Sequence, residues 1–135
     1  MLVISVTFFV VGQLIKINWF LVEQVIYNLL HNAVQYTPKF SEVLISIQDK
    51  KGCLIEISDN GPGFPKEKMD VVFEKFYRLP QTATGGTGLG LSIVKGFVEA
   101  HYGTVKLENL PKRGAKFTIF IPSETTLIKT EEDAS

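Results

Sequence analysis

The chain has 135 residues, the length of one domain with a buried core. Its hydrophobic share of 45% excludes a disordered chain, and the balance of 14 basic against 14 acidic residues leaves no net charge to attract nucleic acid or an anionic membrane. A single cysteine, Cys53, excludes an internal disulfide framework and is typical of a reducing compartment. Because Cys53 lies in an apolar run, we interpret it as an inert core thiol.

Apolar, β-branched runs at the start of the chain predict two strands, from about Val3 to Phe9 and from Leu14 to Ile17, with a turn at Gly12. The opening run from Met1 to Val11 is too short to cross a bilayer. It also lacks the basic start and the cleavage site of a signal peptide. We therefore interpret it as a buried strand.

A long helix is predicted next, from an N-cap at Asn18 to about Tyr36, before Pro38. Its core-facing residues recur at helical spacing: Val22, Val25, Ile26, Leu29 and Ala33. Beside that apolar face, Asn28, Asn32 and Gln35 fall within an arc of roughly 60°. Asparagine is a poor helix former, so Asn28 and Asn32 indicate a functional role. The alternative is that both are ordinary half-buried surface residues.

Two further strands, Val43 to Gln48 and Cys53 to Ser58, form a predicted hairpin around a polar turn. The second strand leads into Asp59-Asn-Gly-Pro-Gly63. Glycines and a proline make a tight turn that lets the backbone approach a ligand closely. Asp59 places one carboxylate at the end of the strand, facing the floor of a pocket.

From Pro65 to Thr87 the apolar pattern is weak, apart from an aromatic knot from Phe73 to Arg78. A poorly patterned segment of this length inside a compact domain predicts a flexible lid. The glycine-rich stretch from Gly86 to Gly90 then opens a second helix that runs to about His101. Its predicted apolar stripe consists of Leu91, Val94, Phe97 and Val98.

Two final alternating runs, Thr104 to Glu108 and Lys116 to Ile121, predict the last strands. The predicted fold is of the α+β class: a two-layer α/β sandwich, with a mixed, mostly antiparallel sheet of about five strands and helices on one face. We expect the folded domain at residues 1–123 and a polar, frayed tail at residues 124–135.

Glycine-rich turns are weak evidence for a nucleotide site when they are taken singly. The stretch from Gly85 to Ser92 has nearly the spacing of a P-loop, but Leu91 stands where the phosphate-binding lysine must be. A dinucleotide-binding fingerprint fails as well, because its spacing is wrong and the turn follows a loop rather than a strand. Both motifs are excluded.

Four segments together resemble, in order, the four boxes of the histidine-kinase ATP-binding domain. They are the asparagine helix, Asp59-Asn-Gly-Pro-Gly63, Phe73-Glu-Lys-Phe76 and Gly86-Thr-Gly-Leu-Gly90. The resemblance covers residues 14–122. The family that it identifies belongs to the wider group of DNA gyrase, Hsp90 and MutL, whose members share the Bergerat ATP-binding fold. The short lid and the stretch from Glu108 to Phe117 are similar to potassium-sensor kinases of the KdpD type.

The resemblance implies ATP and Mg²⁺ as ligands. Asp59 would accept a hydrogen bond from the exocyclic amine of adenine and reject guanine, which presents an oxygen there. Asn32 would be the Mg²⁺ ligand, and Asn28 would support the metal or its waters. The glycines would direct backbone N–H groups at the triphosphate from a helix start. The expected ATP contacts further include Gln35, Tyr36, Gly61, Gly63, Phe76, Gly86, Thr87, Gly88, Leu89 and Gly90. Tyr36 either stacks on the base or packs under the lid.

One departure from the family is Gln35, which stands where many relatives have a lysine. A cation near the phosphates is therefore missing, unless Lys39, Lys75 or Arg78 replaces it. Asn28 decides the reaction type, because hydrolytic relatives place a glutamate there as the general base for water. Asn28 and Asn32 are thus the predicted catalytic residues of a phosphotransferase.

The resemblance implies a protein-histidine kinase, in which the acceptor histidine lies on a separate helical dimerisation domain. Neither His31 nor His101 is a good acceptor candidate, and we assign them surface or structural roles. Phe73, Phe76 and Tyr77 form either a docking patch for that absent domain or an ordinary lid core.

The sequence therefore predicts the ATP/Mg²⁺-binding catalytic domain of a two-component sensor histidine kinase, acting upstream of a response regulator. We expect no nucleic-acid partner, no membrane contact by this domain, and a location on the cytoplasmic side of a membrane-bound bacterial sensor. One alternative is a free-standing serine kinase of the anti-sigma-factor type. Another is a non-catalytic module that uses the pocket for partner binding, which Gln35 favours.

Overall fold

The computed structural model describes residues 4–11, 19–36, 38, 40–74 and 90–122. Its strands are β1 Ile4–Val11, β2 Ser41–Asp49, β3 Gly52–Asp59, β4 Thr104–Asn109 and β5 Ala115–Pro122. Its α-helices are α1 Trp19–Tyr36 and α2 Gly90–Ala100, and two short 3₁₀ helices, Lys66–Lys68 and Val71–Phe73, follow β3. The predicted strand from Leu14 to Ile17, the N-cap Asn18 and the polar tail lie outside the described residues.

The described strands form one sheet in the order β1-β2-β3-β5-β4. The edge strand β1 pairs in parallel with β2, and every other neighbouring pair is antiparallel. The hairpin between β2 and β3 turns at Lys50 and Lys51, and the φ angles of Lys51 and Gly52 are 58° and 153°. The predicted mixed, mostly antiparallel α+β fold is confirmed.

The core lies between one face of the sheet and the two helices. Successive side chains of a strand point to opposite faces, and β3 and β5 bury alternate residues accordingly. The buried core residues are Leu21, Val22, Val25, Leu29, Ala33, Val43, Ile45, Ile47, Cys53, Ile55, Ile57, Phe64, Val72, Leu91, Val94, Val98, Ala115, Phe117, Ile119 and Ile121. Each fully buried Val, Leu or Ile stabilises the fold by about 1.5–3 kcal/mol.

The predicted apolar stripe of the second helix is wrong at one residue. Val94 and Val98 are fully buried, whereas Phe97 is 40% exposed. At about 100° per residue, the buried residues Leu91, Val94 and Val98 share one narrow arc, and Phe97 points about 100° away from Val98. Helical spacing identified the element, but an 11-residue helix on the side of the domain buries a narrower stripe than its apolar content suggests.

The helix α2 ends at Ala100, one residue before the predicted end at about His101. Tyr102 has a φ of 63°, and the Gly103 N–H donates to the Val98 carbonyl at 2.8 Å. His101 is exposed, and its Nδ1 lies 2.8 Å from the Phe97 carbonyl oxygen. The surface or structural role assigned to His101 therefore fits the structure.

Cys53 lies inside β3 and is 1% exposed. Burial, reinforced by the charge of Asp49, raises the pKa of its thiol to about 11. A thiol that stays protonated is a poor nucleophile, as expected for an inert core residue. Within the described ranges, neither helix combines the length and apolar content needed to cross a membrane.

Candidate functional site

The amide side chains of α1 lie at the boundary between its buried and exposed faces. Asn28, Asn32 and Gln35 are all partly buried. On one side of this row Leu29 is 1% exposed, and on the other Tyr27 is 64% exposed. The arc predicted from helical spacing is therefore present, and we call these three side chains the amide row.

Asn28 joins the amide row to the start of α2. Its Nδ2 donates to the Gln24 carbonyl oxygen, one turn earlier, at 2.7 Å. Its Oδ1 lies 3.6 Å from the position that a Cβ would occupy on Gly90, the first residue of α2. A helix start presents backbone N–H groups without intrahelical partners and the positive end of the helix dipole. Asn28 therefore lies beside the end of α2 that favours anions.

Asn32 carries a buried oxygen that finds no hydrogen-bond donor among the described residues. Leaving such a group unsatisfied costs about 1–3 kcal/mol, so it is unusual unless another group completes it. A carboxamide oxygen is a hard donor of the kind that Mg²⁺ prefers, and Mg²⁺ takes its other ligands from water and phosphates. The described residues contain no cluster of three or more His, Cys, Asp or Glu side chains placed to hold a metal. The Asn32 oxygen therefore suits a Mg²⁺ ion whose other ligands come from water and from the phosphates of a bound ligand.

Asp59 ends β3 and is 8% exposed. By the alternation of the strand it shares the helix-facing side of the sheet with Ile55 and Ile57. Its Oδ1 accepts the Gly61 N–H at 2.8 Å, and a carboxylate has the capacity to accept several hydrogen bonds. The Asp59 carboxylate and the Asn32 oxygen are therefore both buried, on the two layers that enclose the core.

The turn after β3, which we call the base turn and define as residues 59–64, is tied to β2 at its start. The Glu42 N–H donates to Asn60 Oδ1 at 2.8 Å, and the Asn60 N–H donates to the Glu42 carbonyl at 3.3 Å. Gly63 has a φ of 79°, in the left-handed region that favours glycine. The predicted tight turn at Gly61 and Gly63 is present.

Asn109, the last residue of β4, also holds the base turn, together with Arg113 and Gly114 of the β4–β5 connection. Sequence reasoning did not single out these three residues. The Asn109 side chain accepts the Phe64 N–H at 2.9 Å and donates to the Phe64 carbonyl at 2.7 Å. Arg113 Nε donates to the Gly61 carbonyl at 3.2 Å. A Cβ on Gly114, whose φ is 99°, would collide with the Asp59 carbonyl oxygen. The available signal was the turn itself, with Asn and Gly flanking Leu-Pro-Lys-Arg, but nothing local indicated its target.

The aromatic knot is described only at its start. Phe73 packs edge-on against Phe117, with ring centroids 6.1 Å apart, and Lys95 Nζ lies 5.7 Å from the centroid of the Phe73 ring. Phe73 is partly buried against the core, which favours the lid-core interpretation for this residue. His31 is exposed and stacks on Tyr27, as expected for a surface residue.

Several expected contact residues lie outside the described part of the chain. These are Phe76, Tyr77, Gly86, Thr87, Gly88 and Leu89, the side chain of Tyr36, and the candidate cations Lys39, Lys75 and Arg78. Among the described site residues, the structure places Asn28 beside Gly90 and joins Asp59 to Gly61 by a hydrogen bond. The roles assigned to all of these residues stay predictions.

Comparison with known proteins relates the chain to sensor kinases. The sensor histidine kinase TmoS of Ectopseudomonas mendocina is 43% identical over 105 residues, which are 74% of this chain and 11% of TmoS. The chain thus spans a small part of the curated relatives that it matches. The solved mycobacterial sensor histidine kinase MprB is 28% identical with a TM-score of 0.74, covering 89% of this chain and 84% of that one.

Full-length ShkA, solved in complex with AMPPNP, is 27% identical with a TM-score of 0.71, covering 89% of this chain and 26% of ShkA. The likeness to the KdpD type stays a prediction. The family model described as histidine kinase-, DNA gyrase B-, and HSP90-like ATPase matches residues 19–125. Because this match covers most of the sequence, the chain belongs to that family, and its homologues are sensor histidine kinases.

Proposed function

We propose that this chain is the ATP/Mg²⁺-binding catalytic domain of a two-component sensor histidine kinase, with the domain at residues 1–123 and a polar tail at 124–135. The observation that carries the proposal is the buried Oδ1 of Asn32, which has no donor among the described residues. It lies on the same helix face as Asn28, which lies beside the start of α2. An acceptor oxygen one helical turn from a residue beside an anion-favouring helix end suits a metal bound to a phosphate chain.

In this proposal Asp59 selects adenine. The carboxylate accepts a hydrogen bond from the exocyclic amine of the base, an interaction worth about 1.5–3 kcal/mol when one partner is charged. Guanine presents a carbonyl oxygen at the same position, and two acceptors repel each other. The bond from the Gly61 N–H to Asp59 Oδ1 restrains the orientation of the carboxylate before any base arrives.

Asn32 would hold Mg²⁺ through its carboxamide oxygen, and Asn28 would orient the ion's waters. The bound ion would neutralise the phosphate oxygens as charge develops on them. Gly90 and the preceding Gly86 to Leu89 would offer backbone N–H groups to the triphosphate. Tyr36 and Phe76 would line the nucleotide, and Gln35 would contact it without supplying a positive charge.

Asn28 separates phosphotransfer from hydrolysis, because a carboxamide cannot accept a proton from water as a glutamate does. The γ-phosphorus–oxygen bond to the β-phosphate would break as a bond forms to a histidine nitrogen in line with it, releasing ADP. The acceptor histidine would lie on the helical dimerisation domain of the same kinase. His31, exposed and stacked on Tyr27, is set apart from this role.

The partners proposed on this basis are that dimerisation domain and, downstream, a response regulator. The parent kinase would be a membrane-bound bacterial sensor with this domain on the cytoplasmic side, where ATP is available. The structural neighbour ShkA supports the nucleotide assignment, since it was solved with AMPPNP, an analogue of ATP.

The test is phosphotransfer in trans. The chain is incubated with labelled ATP, Mg²⁺ and a helical dimerisation domain from a sensor kinase. We expect label on that domain that is lost in acid, since phosphohistidine is acid-labile, and no label with Asn32→Ala. Acid-stable label would indicate the serine-kinase alternative instead. No label on any dimerisation domain tried, together with no ATP binding, would favour the non-catalytic module.

A further inference from the structure

The side chain of Asn109 forms the pair of hydrogen bonds with the base turn that a neighbouring β-strand would form with its backbone. It accepts the Phe64 N–H and donates to the Phe64 carbonyl, so one carboxamide replaces both groups of a neighbouring peptide unit. Asn109 is the last residue of β4, and Phe64 lies 45 positions earlier in the chain. The two meet because β5, which separates β3 from β4, begins only at Ala115.

Phe64 depends on this contact for its backbone. The residue is 4% exposed, and its ring packs edge-on against Phe117 with centroids 6.0 Å apart. A buried N–H or C=O without a partner is costly, so the carboxamide of Asn109 holds this residue in place. Gly63 completes the fit, because a Cβ there would lie 2.8 Å from Asn109 Oδ1.

The same contact reaches Asp59 through the turn. Asp59 Oδ1 accepts the Gly61 N–H, and Gly61 is three residues before Phe64. Rotation of a carboxylate about its last bond is only weakly restricted by its own side chain, so a donor such as the Gly61 N–H restrains its orientation. Fixing Phe64 therefore fixes the Gly61 N–H and, through it, the carboxylate.

We propose that Asn109 is a positioning residue for base selection: it holds the base turn so that Asp59 keeps the orientation that distinguishes adenine from guanine. This inference rests on the proposed function. Asn109 itself does not contact the base. Its effect on nucleotide binding is exerted through Phe64, Gly61 and Asp59, in that order.

The experiment compares the dissociation constants for ATP and GTP, measured by calorimetry with Mg²⁺, in three variants. Asn109→Ala removes both hydrogen bonds, and Asn109→Asp fills the same space without a donor for the Phe64 carbonyl. Lys112→Ala is the matched control, since Lys112 is exposed in the β4–β5 connection that follows Asn109. We expect both Asn109 variants to lower the preference for ATP over GTP about fivefold, and the control to keep the wild-type preference.

A second readout uses the chain without nucleotide. Amide hydrogen exchange of Phe64 and Gly61 should be faster in Asn109→Ala than in the wild type, while exchange in the centre of β3 stays unchanged. Hydrogen exchange without nucleotide separates the proposed ATP-binding function from the proposed role of Asn109. If the wild-type chain bound neither nucleotide, the proposed function would fall, and exchange alone would decide whether Asn109 holds the turn.

The preference ratio also separates positioning from a general loss of stability, which would weaken ATP and GTP binding equally. An Asn109→Ala protein with the wild-type ratio would overturn the inference, whatever its exchange rates. An Asn109→Asp protein with the wild-type ratio would overturn the inference that both hydrogen bonds hold the turn, because Asp keeps only the acceptor for the Phe64 N–H.

Discussion

The base turn and the amide row of α1 are built in opposite ways. The base turn is held by contacts from β2, from Asn109 and from Arg113, so its polar groups are arranged by the protein alone. In the amide row, Asn32 keeps a buried acceptor without a donor among the described residues. The comparison indicates that the base half of the proposed site is preformed, whereas the metal and phosphate half is completed by the ligand.

The largest expected effect concerns the preformed half. Gly114 has a φ of 99°, which is strained for alanine, and the Cβ of Gly114→Ala would overlap the Asp59 carbonyl oxygen. The two effects add. We expect the free energy of unfolding to fall by about 3 kcal/mol, measured by urea denaturation.

The matched control for this substitution lies in α2. A Cβ on Gly96 meets nothing within 4 Å, so Gly96→Ala should raise the free energy of unfolding by about 0.5–1 kcal/mol through helix propensity. Equal effects of the two alanines would show that the β4–β5 connection does not press on the base turn.

Asp59→Asn tests whether the charge of Asp59 selects the base in the preformed half. The substitution keeps the size of the side chain but removes its charge, and the loss of a charged hydrogen bond weakens ATP binding by about 1.5–3 kcal/mol. We expect roughly a 10- to 150-fold higher dissociation constant for ATP, little change for GTP, and hence a loss of preference. An unchanged dissociation constant for ATP would remove Asp59 from the base site.

Asn32→Leu tests the half that the ligand completes. Leucine is larger than asparagine but branches at the same carbon, and it removes the unsatisfied oxygen, so the free energy of unfolding without nucleotide should rise by about 1 kcal/mol. The same variant should lose the Mg²⁺-dependent part of ATP binding. Asn28→Leu is the control, because Asn28 donates to the Gln24 carbonyl and its loss should not stabilise the fold. Destabilisation by Asn32→Leu would mean that the oxygen has a partner without ligand.

The smallest expected effect is that of Arg113→Ala. The Arg113 side chain is exposed, and one hydrogen bond to the Gly61 carbonyl at 3.2 Å contributes at most about 1 kcal/mol. We expect a loss of ATP affinity of about threefold or less, well below that of Asp59→Asn. A loss as large as that of Asp59→Asn would place Arg113 in contact with the nucleotide.

The same contrast separates what was predictable from the sequence from what was not. The amide row, the β2–β3 hairpin and the turn after Asp59 follow from local spacing, since helical and strand periodicity concern neighbours in the chain. The contact of Asn109 with Phe64 joins residues 45 positions apart, and it depends on where β5 begins. Phe97 shows the converse error, because periodicity marks an apolar face but not how much of it the neighbouring elements cover.

A calorimetric titration of the wild-type chain and Asn32→Leu with ATP, in the presence and absence of Mg²⁺, tests whether the buried Asn32 oxygen holds the metal. We expect Mg²⁺ to strengthen ATP binding to the wild type and to have no such effect on Asn32→Leu, while both proteins bind adenosine equally. Equal strengthening by Mg²⁺ in the two proteins would contradict the assignment of the buried Asn32 oxygen to the metal.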